Sequence, residues 1–188
     1  MQPSETKIDP TGVTAIWGGR GSGKTRLARD KIIPQVKTRR IVVIDPMADA
    51  GEGYITARDF AAALYDGERH LTLTTGAPDE VLAALYAAWA HSSKDDPIYA
   101  ICDEAPAYLA KSTNGLSRIM FQGRHRGFGM AIIGQRIAAV AAQIRSQAST
   151  TFFLRLNDHV DLDTAKKIIG ADQAARLPTF EPGQFIRH

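Results

Sequence analysis

Short runs of apolar residues alternate along the chain with longer segments of helical periodicity. Continuous apolar runs are typical of strands buried on both faces, and their alternation with helices is typical of a parallel sheet covered by helices. The predicted strands are residues 13–17, 40–45, 70–75, 98–102, 130–134 and 150–156. The predicted helices are residues 24–33, 60–65, 78–91, 116–126, 137–147 and 160–169. The pattern therefore predicts an α/β fold with a mostly parallel central sheet.

The breaks in this pattern predict where elements end. We expect Pro34 to end the first helix and Gly170 the last, because proline lacks the N–H that continues a helix and glycine commonly follows a helix end. The tail, residues 177–188, contains two prolines and a glycine and is predicted to form a small hairpin. The polar residues 1–10 are expected to be flexible. Since no repeat or long linker divides the rest, residues 11–188 are predicted to form a single domain.

The composition is that of an ordinary globular protein, with 44% hydrophobic and 23% charged residues in a chain of 188. The one cysteine, Cys102, excludes an internal disulfide framework and is expected to be a packed core thiol in a reducing compartment. No stretch approaches the roughly 18 apolar residues of a membrane span, and the N-terminus lacks the pattern of a signal peptide. We therefore expect a soluble, cytoplasmic protein without a transmembrane segment.

One long span of the sequence contains basic residues and no acidic ones. No Asp or Glu occurs in residues 105–157, although the formal net charge of the chain is only +3. The lysine and arginines of this span are Lys111, Arg118, Arg124, Arg126, Arg136, Arg145 and Arg155. The span is therefore either a solvated surface or a surface that faces an anionic partner.

Residues 18–25 match the pattern G-x-x-x-x-G-K-[ST], between a predicted strand and a predicted helix. They are Gly18, Gly19, Arg20, Gly21, Ser22, Gly23, Lys24 and Thr25. Glycines allow backbone N–H groups to turn toward phosphates, and the helix N-terminus adds partial positive charge. In such a loop the lysine reaches the β- and γ-phosphates and the threonine hydroxyl binds Mg²⁺. The sequence therefore predicts a site for ATP and Mg²⁺, with Lys24 catalytic and Thr25 on the metal.

Two adjacent acids, Asp103 and Glu104, follow the predicted buried strand 98–102. With a phosphate loop upstream, Asp103 is predicted to hold Mg²⁺ and Glu104 to act as the general base that takes a proton from the attacking water. Alternatively, the two carboxylates simply end a strand. A glutamate at this position favours hydrolysis over transfer to a second small molecule, because a kinase activates its acceptor and not water.

Gln135 ends the predicted strand 130–134, and a polar amide at that point can contact the γ-phosphate or the lytic water. The alternative is a strand-end glutamine without a catalytic role. Arg124 and Arg126 lie at a predicted helix end, where they are candidates for DNA contacts, surface charges or arginine fingers. An arginine that acts on the ATP of a neighbour contributes about 10³–10⁵ in rate.

From about residue 13 to 185, the order of these parts resembles the FtsK/HerA superfamily of ring-forming, DNA-pumping ATPases. Three features carry the resemblance beyond the two general nucleotide motifs. First, residues 123–126 lead into a strand that is followed by Gln135 and Arg136. Second, residues 148–158 are similar to the last core strand of the family with its arginine. Third, a helix that reaches Gly170 is followed by residues 182–185, which are similar to the closing glycine turn of the family.

The resemblance implies a three-layer, RecA-like fold of the additional-strand, catalytic-glutamate type, with the Gln135 strand inserted between the strands of the phosphate loop and the acids. It also implies a homo-oligomeric, hexameric ring with nucleotide sites at subunit interfaces, double-stranded DNA in the pore and an arginine acting in trans. Arg124 is the best spaced candidate for that arginine, Arg126 the second and Arg155 the third. Residues 111–115 are a candidate pore loop.

At 188 residues, we expect the chain to lack the membrane anchors, the DNA-orienting winged helix and the N-terminal barrel of larger members. This size is similar to the genome-packaging ATPases of tailless, membrane-containing icosahedral viruses and phages. That likeness implies packaging of viral DNA into a preformed capsid, docking on a capsid vertex or viral membrane protein, and a location in the host cytoplasm or with the virion. The alternatives are an ATPase for phage or pilus assembly or export, a small-molecule or nucleotide kinase, and a nucleotide-gated switch protein with slow turnover.

Overall fold

The structure, a computed structural model, describes residues 6–49, 51–111 and 113–188. Its strands are β1 (Val13–Trp17), β2 (Arg40–Ile44), β3 (His70–Leu73), β4 (Ile98–Cys102), β5 (Gly129–Gly134), β6 (Ala148–Phe153) and β7 (Ile186–Arg187). They form a seven-stranded sheet in the order β3-β2-β4-β5-β1-β6-β7. All pairings among β1 to β6 are parallel, and β7 runs antiparallel to β6. The predicted α/β fold with a mostly parallel sheet is confirmed.

Helices cover both faces of the sheet, which gives three layers. They are α1 (Lys24–Leu27), α2 (Ile33–Val36), α3 (Ala57–Tyr65), α4 (Pro78–His91), α5 (Asn114–Gln122), α6 (Ala142–Arg145), α7 (His159–Ile169) and α8 (Ala171–Ala174). On one face α1 and α2 pack on Ile16, Tyr99 and Ile101. On the other face, α3, α4, α5 and α7 enclose a larger core that includes Trp17 and Phe153.

The first helix and the tail differ from the prediction. Pro34 does not end the helix, because a π-helical turn over Ala28–Ile32 joins α1 to α2 and the helical segment reaches Val36. A π-turn widens the helix locally, and this tolerates a residue without an N–H. The tail does not form a hairpin of its own, since β7 pairs with β6 instead.

The predicted helix over residues 137–147 is largely wrong, because only Ala142–Arg145 is α-helical. Ala138 N–H is bound by the buried carboxylate of Asp161, which holds this segment as a turn. Gly170 ends α7 as predicted, and its φ of 84° suits glycine.

The expected flexible segment 1–10 lies partly outside the described residues. Within it, Thr6 and Ile8 are buried. The Gln35 amide accepts a hydrogen bond from Ile8 N–H at 3.1 Å and donates one to the Thr6 carbonyl at 2.8 Å. Residues 6–8 are therefore attached to the domain. Among the residues that the structure describes, no helix is both long and apolar enough to cross a bilayer.

The strand order determines where the site lies. β5 runs between β1 and β4, in register with both. Because these strands are parallel, the segments after Trp17, Cys102 and Gly134 meet at one edge of the sheet, which we call the carboxyl edge. The predicted insertion of the Gln135 strand between the phosphate-loop and acid strands is confirmed.

Candidate active site

The phosphate loop leaves β1 at the carboxyl edge and enters α1 at Lys24. The neighbouring strands hold its base, since Gly18 N–H donates to the Gly134 carbonyl at 3.2 Å and Gly19 N–H to the Arg155 carbonyl at 2.7 Å. Gly21 and Gly23 have φ of 71° and 100°, a left-handed conformation that glycine adopts without a steric penalty.

A turn near the C-terminus fixes the other side of the loop. Gly183 N–H donates to the Ser22 carbonyl at 2.8 Å. A Cβ at Gly23 would lie 2.9 Å from the Gly183 nitrogen, so this position has no room for a side chain. Residues 182–184 also line a cavity of about 410 Å³ together with Gly23 and residues of the first helical segment. The C-terminal turn therefore extends the loop's surface beyond its phosphate-binding part.

Lys24 is buried beside the two acids. Its Nζ donates to the Gly19 carbonyl at 3.2 Å. Burial lowers the pKa of Lys24 from its ordinary value, while the negative charges of Glu104 and Asp103 oppose that decrease. This places the ammonium and both carboxylates within electrostatic reach at one edge of the sheet.

Asp103 and Glu104 follow β4 in a tight turn. Glu104 has φ of 45° and ψ of 40°, which is uncommon for a residue other than glycine. Its N–H donates to Asp103 Oδ1 at 2.9 Å, and the Tyr108 hydroxyl donates to the Asp103 carbonyl at 2.6 Å. Burial raises the pKa of Asp103, and the negative charges of Glu104 and Asp45 raise it further. The hydrogen bond that Asp103 accepts from the Glu104 N–H opposes this increase.

Gln135 contacts the general-base candidate directly. Its Nε2 donates to Glu104 Oε1 at 2.7 Å. The two residues follow neighbouring strands, β5 and β4, so the sheet itself sets their separation. The structure therefore brings Lys24, Asp103, Glu104 and Gln135 together around one edge.

The donor set fits a magnesium ion that is shared with a nucleotide. Thr25 and Asp103 offer hydroxyl and carboxylate oxygens, which are hard ligands, and Mg²⁺ usually takes its remaining ligands from phosphates and water. Within the described residues, no group of three or more His, Cys, Asp or Glu side chains could hold a metal alone.

Scans of the sequence against protein-family models and against curated proteins found no match. Solved structures do match. The genome-packaging NTPase B204 from Sulfolobus turreted icosahedral virus 2, in complex with ATP-gammaS, has a TM-score of 0.80 at 21% identity, with 96% of this chain and 92% of that chain covered. The pCW3 conjugation coupling protein TcpA has a TM-score of 0.67 at 15% identity, with 96% of this chain and 58% of that chain covered.

VirB4 of Thermoanaerobacter pseudethanolicus matches with a TM-score of 0.61 at 11% identity, covering 96% of this chain and 91% of that one. In this chain the glycine loop lies between β1 and α1, and the two acids follow β4. These are the positions that the two nucleotide motifs occupy in a P-loop fold. The fold is that of a P-loop NTPase. At these identities the comparisons establish the fold, and the chemistry depends on the residues of this chain.

The three candidate arginines lie at two opposite edges of the sheet. Arg155 follows β6 at the carboxyl edge, where its carbonyl binds the phosphate loop. Arg124 is exposed and precedes β5 at the opposite, amino edge. At about 3.3 Å per residue, the six residues of β5 separate it from its own phosphate loop by roughly 20 Å. Arg124 therefore does not reach its own nucleotide site.

Arg126 is held by contacts within its own chain. Its guanidinium donates to the Trp89 carbonyl at 3.1 Å and the Ala90 carbonyl at 2.5 Å, and it lies 5.0 Å from the centre of the Trp89 ring. These bonds occupy the guanidinium near the end of α4. Of the two candidate arginines at the amino edge, Arg124 is the one whose guanidinium is not held by α4.

Sequence reasoning missed three contributors to the site. Asp45 is buried at the end of β2, and its charge raises the pKa of Asp103. Its position directly after an apolar strand could have identified it as a site residue. Tyr108 and Gly183 bind the acid segment and the phosphate loop, and both contacts depend on tertiary structure. Burial raises the pKa of the Cys102 thiol to about 12, in agreement with the predicted core role.

Proposed function

We propose that this chain is an ATPase motor that translocates double-stranded DNA, most specifically to package viral DNA into a preformed capsid. The observation that supports hydrolysis is the 2.7 Å hydrogen bond from Gln135 to Glu104 beside Lys24 and Asp103. A carboxylate held there by an amide is suited to orient and deprotonate a water molecule. The full-length likeness to B204, whose name says that it packages a genome, supports the packaging role.

Each residue has a proposed task at the phosphates. Backbone N–H groups of residues 18–25 cradle the phosphates, and Lys24 neutralises charge at the γ-phosphate. Thr25 and Asp103 would hold Mg²⁺, which would supply further neutralisation of the phosphate charge. Glu104 accepts the proton of the attacking water, and Gln135 positions the carboxylate. The 410 Å³ cavity beside Gly23 is where we place the adenosine part of ATP.

The proposed assembly is a hexameric ring with nucleotide sites at subunit interfaces. The support is the position of Arg124, which is exposed and remote from its own phosphate loop. An arginine so placed can complete only a neighbour's site. Double-stranded DNA passes through the ring, with the 111–115 segment as a candidate contact, although Ser112 within it lies outside the described residues. The ring docks on a capsid vertex or viral membrane protein in the host cytoplasm or virion.

The test is phosphate release from ATP without any acceptor molecule, in the presence and absence of duplex DNA. A motor hydrolyses ATP under these conditions and is stimulated by DNA. A kinase of the same fold needs its small-molecule acceptor and ignores DNA, and a switch protein stays slow even with DNA at high protein concentration. Acceptor-dependent turnover without DNA stimulation would remove the motor proposal. An export or pilus-assembly ATPase is distinguished by DNA-independent activity.

A further inference from the structure

An apolar groove lies beside the active site, between α4 and α5. Its volume is about 370 Å³, and it is formed by the first half of α4, the start of α5 and residues 107–111. Leu82 and Leu109 are part of its apolar wall, while the exposed Asp79 and Lys111 lie at its rim. A cavity of about 150 Å³ already accommodates benzene. The groove therefore has room for an aromatic side chain.

The groove is connected to the catalytic acids through one residue. Tyr108 lines the groove, and its hydroxyl donates to the Asp103 carbonyl at 2.6 Å. Asp103 directly precedes Glu104, whose backbone is already in an uncommon conformation. A group that fills the groove therefore contacts the residue that holds the acid segment in place.

The other end of α5 carries an exposed aromatic residue among cations. Phe121 is 58% exposed, and exposed Arg118 and Arg124 lie three residues before and after it. α5 begins at the groove, at the carboxyl edge, and ends at the amino edge. Because Phe121 is exposed, it does not fill the groove of its own chain.

We propose that the groove receives Phe121 of a second copy of this chain, in a head-to-tail contact. The cations around Phe121 then approach Asp79 at the groove's rim, and Lys111 at the same rim offsets part of this attraction. Because two different surfaces meet, the contact is heterologous and generates a ring if its rotation closes. It carries Arg124 toward the neighbour's carboxyl edge, where the acids lie. The inference rests on the ring of the proposed function and assigns the residues that form it.

Cysteine cross-linking tests the contact. Leu82→Cys labels the groove and Gln122→Cys, which keeps Phe121, labels the partner surface; the buried Cys102 does not compete. With ATP, DNA and a short bis-maleimide, a mixture of the two single variants should give covalent dimers, and the double variant should give a ladder of oligomers. The matched control replaces Leu82→Cys with Ala83→Cys, an exposed neighbour on α4 that does not line the groove. Cross-links formed by Gln122→Cys alone, or cross-links of equal yield with the control, would overturn the proposal.

Assembly in solution gives a second measurement. Phe121→Asp should raise the protein concentration needed for assembly about ten- to a hundredfold, as expected from the loss of one buried aromatic side chain. Gln122→Asp, next to it and also exposed, is the control for the added charge and should weaken assembly much less. Asp79→Lys should weaken assembly by removing the acid at the groove's rim. Sedimentation with ATP and DNA measures all three variants.

The outcomes separate this inference from the proposed function. If wild-type protein shows DNA-stimulated hydrolysis and forms a ring that Phe121→Asp leaves unchanged, the groove contact is wrong and the motor stands. If the cross-links form but DNA does not stimulate hydrolysis, the contact stands and the motor proposal is wrong.

Discussion

Glu104 has a backbone conformation that glutamate rarely adopts, and its neighbours account for it. Its left-handed φ costs about 1–2 kcal/mol relative to ordinary conformations. The hydrogen bond from its N–H to Asp103 and the one that its carboxylate accepts from Gln135 offset this cost. Strained backbone that is held by specific partners is frequent at sites of chemistry. We infer that the turn is retained because it aims the carboxylate.

Substitutions at Lys24 and Glu104 should separate binding from turnover. Lys24→Ala removes the buried ammonium, so both ATP affinity and hydrolysis should be lost. Glu104→Gln should keep ATP affinity, because its amide oxygen can still accept from Gln135, but it cannot take a proton. Turnover of Glu104→Gln should fall about 10²–10⁴-fold. Binding of a fluorescent ATP analogue and phosphate release measure the two effects, and equal loss of affinity in both variants would show that Glu104 is misassigned.

Asp103→Asn should stabilise the nucleotide-free protein at neutral pH. Burial raises the pKa of Asp103 in the folded state, so the charged carboxylate penalises folding once the pH exceeds the unfolded value of about 3.9. The advantage of Asn should therefore appear as pH rises from about 4 and persist at pH 7. The asparagine oxygen still accepts the Glu104 N–H. Urea midpoints across pH measure this, and a wild type that is more stable than the variant at pH 7 would contradict it.

At the scale of elements, the two arginines of the Gly123–Arg126 turn should differ in their effect on stability. Arg126 donates to two carbonyls at the end of α4 and stacks on Trp89, whereas exposed Arg124 has a long-range electrostatic interaction with Asp9. Arg126→Ala should lower the free energy of unfolding by about 1 kcal/mol, and Arg124→Ala by less than about 0.5 kcal/mol. Chemical denaturation measures both, and equal effects would contradict the assigned roles.

The sequence predicted an element well where its apolar pattern was uninterrupted. The bounds of β1, α4 and β4 were predicted to the residue. The prediction failed at Pro34 because a π-helical turn just before it carries the helix past the proline. It failed at Ala138 because a tertiary contact with Asp161 overrides the local preference. Asp161 is distant in sequence, so no local pattern predicts that contact.

The same distinction applies to the candidate site. Gly23, Lys24, Asp103 and Glu104 belong to contiguous motifs, so they could be predicted as site residues from the sequence alone. The hydrogen bond from Gln135 to Glu104 was within reach, because strand order places both at one edge. The hydrogen bonds from Tyr108 to Asp103 and from Gly183 to Ser22 depend on tertiary packing, so no sequence pattern predicts them.

At the scale of the whole molecule, the acid-free span 105–157 should make DNA binding independent of sequence and sensitive to salt. A translocating motor contacts phosphates, because these recur at every step along the duplex. If about four phosphates are contacted, log K should fall against log salt with a slope of roughly −3.6. Fluorescence anisotropy on duplexes of unrelated sequence measures this. A flat salt response or a strong preference for one sequence would contradict translocation.

Assembly into a ring should control the rate of hydrolysis. If Arg124 completes a neighbour's site, an isolated subunit binds ATP but hydrolyses it slowly, and specific activity rises with protein concentration until assembly saturates. Arg124→Ala should fold and bind ATP normally, since its side chain is exposed and remote from its own phosphate loop, yet lose about 10³-fold or more in turnover.

Mixing Arg124→Ala with Lys24→Ala is the decisive measurement. Each variant is inactive alone, but in a mixed ring the intact phosphate loop of an Arg124→Ala subunit meets the intact arginine of its Lys24→Ala neighbour. Part of the activity should return, and the recovery should peak near equal proportions because such pairs are then most frequent. Two Arg124→Ala preparations mixed at the same total concentration are the control and should stay inactive. Full activity of Arg124→Ala alone would rule out its role in trans and direct attention to Arg155, the remaining candidate whose guanidinium is not held by α4.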